Sequence, residues 1–296
     1  RKELRQIIRA GRVRVGETVV REPEFKIDEK TAELVSRLIE RGTIPTLAIV
    51  RVGENESDLA YERTVVKRCA RLGIETRLAA LTAKVTQPEL IDCIRALNDD
   101  HGIHGIIVLR PLPKELDALS VCGAISPEKD VDGVCPESMA RVYSGVGRGF
   151  TPCTAQSCME ILAHYNIPLE SRNVVVLGRS LVVGKPAAML LSAANANVTM
   201  LHSKSGDYAE LMRRADIIIS ATGLPEHLGA EYFSPGQIVI DTGMSWYEAK
   251  NRFAGDVDFE AAQNVVSALT PVPGGVGSVT TAVLALHLAQ AAENNT

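Results

Sequence analysis

The chain has 296 residues, of which 46% are hydrophobic and 23% are charged, as is typical of a soluble α/β protein with room for two domains. Its net charge of -4, with both signs mixed along the chain, offers no basic face and argues against a nucleic-acid partner. Apolar runs are all shorter than the ~20 residues that cross a bilayer, so we expect no membrane contact.

The six cysteines form no C-x-x-C pair and follow no secretory signal, so we expect reduced thiols, a cytoplasmic location and neither disulfides nor a metal site. Since the chain begins at Arg1 and not Met, a short N-terminal piece is expected to be absent.

The first half of the chain alternates helical patterns with short apolar strands. Helices are predicted over 28–41, 59–72 and 87–98, and strands over 46–52, 75–80 and 105–108. This alternation favours a parallel sheet flanked by helices. A polar, glycine-rich stretch over 144–149 is interpreted as a linker, which puts a domain boundary near residue 148.

The second half contains another alternating series. Helices are predicted over 156–165, after Gly184 and over 208–214, and strands over 174–177, 198–201, 217–220, 238–241 and 265–268. This series predicts a second doubly wound unit, so the expected fold class is α/β with two domains. The last segment, 280–292, is predicted to be an amphipathic helix that folds back onto the first domain.

The most informative segment, 173–186, passes from an apolar strand through a glycine-bounded loop into a helix that opens with Gly184, Lys185 and Pro186. The run of Val and Leu before Gly178 is typical of a central strand in a parallel sheet. A glycine in the loop and a proline in the first helical turn fit a helix N-terminus that faces a phosphate. Because the spacing G-x-x-x-x-x-G differs from the common fingerprint G-x-G-x-x-G, a purely structural turn stays open as an alternative.

The strand after this loop carries the signal for the type of cofactor. In a dinucleotide fold, its end would hold an acidic residue for the ribose 2′-hydroxyl of NAD, and this chain has none there. It has His202, Ser203 and Lys204 instead, with Arg179 in the glycine loop, and these side chains are donors for the 2′-phosphate of NADP. We therefore expect NADP, with NAD as the alternative, unless Lys204 and Arg179 are only solvated surface charges.

Two loops indicate ligand contact. Two prolines and three glycines over 271–277 predict a rigid loop whose exposed backbone borders a ligand, although a structural turn is the alternative. Asp130 and Asp132 are expected to point the same way, as in an extended segment. Since no further metal ligands lie nearby, a carboxylate that grips the N–H groups of a heterocycle is favoured over a metal site.

Tyr61 lies on a helix after the first strand, where the carboxyl edge of a parallel sheet normally carries its site. On that helix it shares a face with Val65, while Lys67 points elsewhere. Alone, such a tyrosine is more often a core or rim aromatic than a site residue.

Taken in order, these segments resemble the methylenetetrahydrofolate dehydrogenase/cyclohydrolase family over nearly the full length of the chain. The matching strings are GIIVLRPLP (105–113), SPEKDVDG (126–133), PCT (152–154), VVVLGRSLVVGKP (174–186), LHSKS (201–205), ADIIISATG (215–223), VIDTG (239–243), GDVDF (255–259) and TPVPGGVG (270–277). The resemblance implies a folate-binding catalytic domain over 1–148 plus 279–296 and a Rossmann-type NAD(P)-binding domain over 149–278, facing each other across a cleft. It also implies a homodimer that acts on a tetrahydrofolate derivative.

By the same resemblance, residues of both domains are assigned to a site. Tyr61 is implied to stack near the pterin and Asp132 to hold its edge, and these two are the expected catalytic residues. The implied folate contacts are Tyr61, Val65, Leu109, Pro111, Asp132, Pro273, Gly274, Gly275 and Val276. The implied cofactor contacts are Thr154, Gly178, Arg179, Ser180, Val183, Gly184, His202, Ser203, Lys204, Ala221, Thr222, Gly223, Asp241, Gly243, Gly275 and Gly277.

Two departures from the family pattern bear on the chemistry. Val65 stands where the family has a lysine and Leu109 where it has a glutamine, and neither can move a proton. Cyclohydrolysis needs a positioned acid or base, whose loss costs about 10²–10⁴-fold in rate. Hydride transfer depends mainly on bringing two carbons together. Lesser departures are Asp58 in place of serine, and Ala155 and Ser278 in place of prolines.

We therefore expect a dehydrogenase of one-carbon metabolism that oxidises 5,10-methylenetetrahydrofolate to 5,10-methenyltetrahydrofolate with NADP, its cyclohydrolase activity weak or lost. The alternatives are a bifunctional enzyme with a different proton shuttle, a noncatalytic folate- or nucleotide-binding paralogue, and a dehydrogenase acting on another small substrate. Lys67 lies about 200° away from Val65 around the helix and is not expected to replace the lysine. Arg110 is interpreted as forming a rim salt bridge, with contact to the glutamate tail of folate or replacement of the missing cation as alternatives.

Overall fold

The computed structural model describes residues 14–15, 18–19 and 23–295. Strands β1 (Arg14–Val15) and β2 (Thr18–Val19) pair antiparallel ahead of the first domain. The following chain forms two parallel sheets that alternate with helices, which confirms the predicted two-domain α/β class.

The first sheet has three parallel strands in the order β4-β3-β5. Its strands are β3 (Thr46–Val52), β4 (Glu75–Leu81) and β5 (Gly105–Val108), and its domain holds α1 (Pro23–Glu40), α2 (Glu56–Arg71), α3 (Gln87–Asp99), α4 (Ala118–Gly123) and α5 (Pro136–Ser144). Every residue of β3 is buried, because this apolar run pairs with a strand on each side. The predicted bounds of β3 and β5 are confirmed, whereas α4 and α5 were not predicted.

The second sheet has five parallel strands in the order β12-β9-β8-β6-β7. Its strands are β6 (Asn173–Leu177), β7 (Asn197–Leu201), β8 (Ile217–Ser220), β9 (Ile238–Asp241) and β12 (Ala268–Leu269), with helices α6 (Cys153–His164), α7 (Gly184–Ala193), α8 (Ala209–Arg214) and α9 (Phe259–Ala262). The hairpin of β10 (Ser245–Tyr247) and β11 (Arg252–Ala254) was not predicted, and β12 begins where the predicted strand over 265–268 ends. The doubly wound arrangement is confirmed.

The last helix, α10 (Val276–Asn294), returns to the first domain as expected. It packs against α1, α2 and α6, and Leu288 lies so close to β5 that a Cβ at Gly105 would come within 2.7 Å of it. The predicted amphipathic character was wrong, since consecutive residues from Val279 to Ala285 are all buried and therefore cover every side of the helix. The helix is thus a core element. Within residues 23–295, no helix is long and apolar enough to cross a membrane.

Candidate active site

Residues of the first domain converge beyond the carboxyl ends of β3 and β5. Arg110 follows β5, and its Nη2 donates to Asp132 Oδ2 at 2.6 Å. The two side chains are 22% and 19% exposed, so the ion pair is only partly solvated. Burial raises the pKa of Asp132, and the guanidinium of Arg110 opposes that rise. The predicted salt bridge of Arg110 is confirmed, but its partner is the carboxylate that was predicted to hold the substrate.

Tyr61 lies beside this pair. Burial raises the pKa of its phenol, the charge of Asp132 and the thiol of Cys153 add to that rise, and Arg110 opposes it. The phenol therefore stays protonated at neutral pH and is available as a hydrogen-bond donor. The structure thus brings together Tyr61, Asp132 and Arg110, although residue 61 is far from the other two in sequence.

Asp130 does not share the orientation of Asp132, so the expectation that the two point the same way was wrong. The Asp130 carboxylate is fully buried and accepts hydrogen bonds from the N–H groups of Val134 and Cys135 and from the Ser138 hydroxyl. The segment forms turns and is not extended, which removes the alternation on which the expectation rested. Asp130 therefore holds the start of α5, and Asp132 alone faces the site.

Val65 and Leu109 are apolar and buried. They are 1% and 5% exposed and belong to one core cluster, against which Tyr61 packs. Neither position offers a group that titrates or donates a proton. Lys67 is exposed on another side of α2, in agreement with the prediction that it does not take the place of a lysine at 65.

A second charged group occupies the start of α2. Asp58 is 7% exposed, and burial raises the pKa of its carboxyl while Arg51 opposes the rise. Arg51 is itself buried and donates through Nε to Glu62 at 2.7 Å. Asp58, Tyr61 and Val65 are spaced three and four residues apart, so they lie on one face of the helix.

His287 of α10 lies directly behind Asp132 and was missed by the sequence reasoning. Its Nδ1 is 2.9 Å from the Val131 carbonyl oxygen, which can only accept, so Nδ1 carries the proton. Its Nε2 is 2.9 Å from Gln156 Oε1, and Nδ1 is 3.6 Å from Cys153 Sγ. With the proton on Nδ1, Nε2 accepts a hydrogen bond from Gln156 when that amide is turned to present its nitrogen. Burial lowers the pKa of His287 to about 4. The imidazole is therefore neutral and ties α10 to the backbone beside Asp132.

Most of the predicted cofactor residues lie at or beyond the carboxyl ends of β6, β7, β8 and β9, which are neighbours in the sheet. The exceptions are Thr154, in the first turn of α6, and Gly275 and Gly277, at the start of α10. A carboxyl edge of this kind is where open α/β sheets bind ligands. Gly178 has a φ of +128°, and a Cβ there would come within 2.2 Å of the Ala221 carbonyl oxygen. A Cβ at Gly184 would come within 2.2 Å of the Gly178 carbonyl oxygen. Only glycine at both positions lets the strand, the loop and the start of α7 approach so closely.

This loop presents donors to a ligand. Ser180 Oγ accepts from the N–H groups of Val183 at 3.1 Å and Gly184 at 3.4 Å, which shapes the turn into α7. Arg179 and Lys204 are exposed, and among the described residues neither side chain has a hydrogen-bond or ion-pair partner. Both cations are therefore available for an anionic group, as the NADP prediction requires.

Asp256 was missed, yet it organises the end of β8. Its fully buried carboxylate accepts from Ser220 Oγ and the Thr222 N–H, both at 2.7 Å, and from the Gly223 N–H at 2.9 Å. The carboxylate of Asp241, a predicted cofactor contact, accepts hydrogen bonds from the backbone N–H groups of Gly243, Asp256 and Val257. Burial raises its pKa to about 6, and those hydrogen bonds oppose the rise.

The loop over 271–277 leads from β12 into α10. Gly275 caps the helix, and a Cβ there would come within 2.5 Å of the Pro271 carbonyl oxygen, so the turn requires glycine. Pro273 and Gly274 are exposed, and Gly277 has open space beside it. Thr270, just before the loop, accepts through Oγ1 from the Asp241 N–H at 2.8 Å, which joins it to the end of β9.

Comparison with known proteins agrees with this architecture. Residues 19–132 match the catalytic domain, and residues 152–296 the NAD(P)-binding domain, of tetrahydrofolate dehydrogenase/cyclohydrolase. The chain belongs to this family. The predicted family is therefore confirmed, as are the predictions of an enzyme and of a dinucleotide-binding second domain.

Individual relatives support the assignment. The bifunctional protein FolD of Clostridioides difficile is 44% identical over 266 residues, which cover 90% of this chain and 92% of that protein. The crystal structure of the bifunctional FolD enzyme from Campylobacter jejuni has a TM-score of 0.88 at 36% identity and covers 92% of this chain and 96% of its own. The FolD structure from Trypanosoma brucei, complexed with NADP cofactor and inhibitor, has a TM-score of 0.86 at 32% identity and covers 92% of this chain and 95% of its own.

Proposed function

We propose that this enzyme oxidises 5,10-methylenetetrahydrofolate to 5,10-methenyltetrahydrofolate with NADP and that its cyclohydrolase activity is weak or lost. The observation that carries the second part is the burial of Val65 in the apolar core, one helical turn from Tyr61. We take Val65 and Leu109 to occupy the positions of the family lysine and glutamine.

The residues of the second domain support NADP as the bound dinucleotide. The turn at Gly178 and Gly184 leaves the space that a Cβ would fill, and Arg179 and Lys204 are cations without partners among the described residues. When bound, the nicotinamide supplies the hydride acceptor. The chain's contribution is to bind the dinucleotide at the ends of β6 to β9 and to hold the folate opposite it, through Tyr61 and the loop over 273–276.

Hydride transfer in this arrangement requires orientation and no proton shuttle. Hydrolysis of the methenyl product requires a proton to move between the attacking water and the leaving nitrogen. Neither Val65 nor Leu109 can carry that proton, so we expect a cyclohydrolase rate about 10²–10⁴-fold below that of an enzyme with the shuttle in place.

One observation favours a second candidate, a bifunctional enzyme with a different shuttle. Asp58 is a largely buried carboxyl on the same face of α2 as Tyr61, and burial raises its pKa. A carboxyl whose pKa is raised by burial is suited to acid and base work. In that case Asp58→Asn would abolish the cyclohydrolase rate and leave hydride transfer in place.

A paired assay separates these candidates on one preparation. NADPH formation from 5,10-methylenetetrahydrofolate measures the dehydrogenase, and decay of 5,10-methenyltetrahydrofolate above the buffer rate measures the cyclohydrolase. We expect the wild type to show dehydrogenase activity without cyclohydrolase activity. The double variant Val65→Lys/Leu109→Gln is expected to gain cyclohydrolase activity. Val65→Met/Leu109→Gln is the matched control, because methionine has similar length and no titratable group.

If the wild type accelerates the decay of 5,10-methenyltetrahydrofolate, the proposed loss of cyclohydrolase activity is overturned. If Asp58→Asn then removes this acceleration, the second candidate is established. Absence of both activities would favour a noncatalytic paralogue. A homodimer, a cytoplasmic location and domain bounds of 1–148 plus 279–296 and 149–278 are further parts of this proposal. Light scattering tests the dimer and limited proteolysis tests the boundary near 148.

A further inference from the structure

Arg110 lies beside the residues that the proposed function assigns to the substrate. Its guanidinium donates to Asp132 at 2.6 Å. Its Nε–H is buried and has no hydrogen-bond partner within the described part of the chain. A buried N–H without an acceptor is costly to a fold and is found where a ligand or water supplies the missing partner.

The ion pair creates an ordered row of hydrogen-bonding groups. The two oxygens of Asp132 are acceptors, and the N–H groups of Arg110 are donors placed beside one of those oxygens. The row therefore reads acceptor, acceptor, donor. A carboxylate alone would offer only the two acceptors.

The edge of a pterin ring presents the complementary row. Its 2-amino group and N3–H are donors, and the adjacent 4-oxo group is an acceptor. Replacing the 4-oxo group by an amino group turns that last position into a donor, which would face the donors of Arg110. It also removes the N3–H, so that N3 becomes an acceptor and would face an oxygen of Asp132. A site built to hydrogen-bond one group discriminates strongly against an analogue that cannot reproduce the bond.

We propose that Arg110, held by Asp132, is a specificity-determining residue that donates to the 4-oxo group of the pterin and selects 4-oxo over 4-amino pteridines. The proposal rests on the proposed folate-binding function. It deepens that function, since Asp132 alone would distinguish the two kinds of ring only at N3, whereas Arg110 adds a discriminating contact at position 4.

The test compares folic acid with its 4-amino analogue, which differ in the substituent at position 4 and in the proton on N3, by titration calorimetry in the presence of NADP. Since Asp132 is unchanged in every variant, a change of the ratio reports on the contact of Arg110 with position 4. The ratio of their dissociation constants is measured for the wild type, Arg110→Leu and Arg110→Gln. We expect Arg110→Leu to shift the ratio at least tenfold toward the 4-amino ligand, chiefly through weaker binding of folic acid. Arg110→Gln keeps a neutral N–H donor and is expected to retain part of the discrimination.

Arg77→Leu is the matched control. It also removes an arginine from an ion pair with an aspartate, Asp100 at 2.8 Å, but that pair is exposed and lies outside the site. Its ratio should equal that of the wild type. If Arg110→Leu does not fold, the graded effect of Arg110→Gln against the control decides the question.

An unchanged ratio in both Arg110 variants would overturn the role of Arg110 while leaving folate binding intact. Failure of the wild type to bind either ligand, together with normal NADP binding, would instead overturn the proposed function. The two failures are therefore distinguishable in one set of titrations.

Discussion

The strongest prediction concerns the stability contributed by His287, whose neutral imidazole joins α10 to the backbone beside Asp132. His287 is 3% exposed, and burial lowers its pKa from 6.5 to about 4. A histidine with a lowered folded-state pKa takes up its proton more readily in the unfolded chain. Its contribution to the free energy of unfolding is therefore present above pH 6.5 and is lost as the pH falls toward 4.

The size of this loss follows from the two pKa values. Between pH 7 and pH 5, protonation of the unfolded chain alone should lower the free energy of unfolding by about 2 kcal/mol, and by about 3 kcal/mol once the pH reaches the folded pKa. In His287→Asn, the shorter amide still reaches toward the Val131 carbonyl but does not titrate. It loses the contact with Gln156 and the ring packing on Phe150, whose centroid lies 4.9 Å away. That loss should cost about 1–3 kcal/mol at pH 7.

The assay is urea unfolding of both proteins from pH 7.5 to pH 5. We expect the variant to be less stable at pH 7.5, and the gap to narrow by about 2 kcal/mol at pH 5. His101→Asn removes an exposed histidine and serves as the control, with a curve parallel to that of the wild type. A constant gap between His287→Asn and the wild type across this range would refute the lowered pKa and the neutral bridge.

The cofactor half yields three further predictions. Lys204→Gln should weaken NADP binding roughly tenfold or more and leave NAD binding unchanged, as measured by titration with each, because the cation would contact only the 2′-phosphate. Asp256→Ala should lower the free energy of unfolding by about 3 kcal/mol, since the buried Ser220 hydroxyl and two partly buried N–H groups lose their acceptor, and denaturant unfolding will show it. Gly178→Ala should abolish NADP binding, because its Cβ would meet the Ala221 carbonyl oxygen at 2.2 Å. Gly206→Ala, with a φ of +72° but open space beside it, should cost only about 1 kcal/mol and bind NADP normally.

The elements that the sequence predicted well are those with a strong local pattern. Strands β3, β5, β8 and β9 are short, mostly apolar runs, and their bounds agree with the predicted ones. The hairpin of β10 and β11 was missed because each strand has only three residues and neither is fully buried. The amphipathic character of helix α10 was predicted wrongly because its few polar residues suggested a solvent-exposed face. Contacts with both domains bury most of the helix.

The site residues show the same contrast between those that a local pattern predicts and those that depend on distant contacts. Motifs placed the glycine loop and the ends of the second-domain strands, since each depends on a few consecutive residues. Asp256, His287 and the partner of Arg110 depend on contacts between residues that are 36, 156 and 22 positions apart. No local period or spacing encodes such contacts, so the roles of these residues became visible only when the fold brought their partners together.

The proposed replacements of the family lysine and glutamine both fall on the folate side of the site. Val65 and Leu109 lie in the buried core near Tyr61, and Arg110 is paired with Asp132, which the proposal also places at the pterin. The glycine loop and the cationic residues proposed to bind NADP follow the family strings. If cofactor binding had been abandoned, substitutions would be expected at Gly178 and Gly184, where any side chain would clash. Their retention argues that the chain still binds the dinucleotide. In the proposed function, this intact cofactor loop is combined with a substrate pocket in which Val65 and Leu109 provide no proton shuttle.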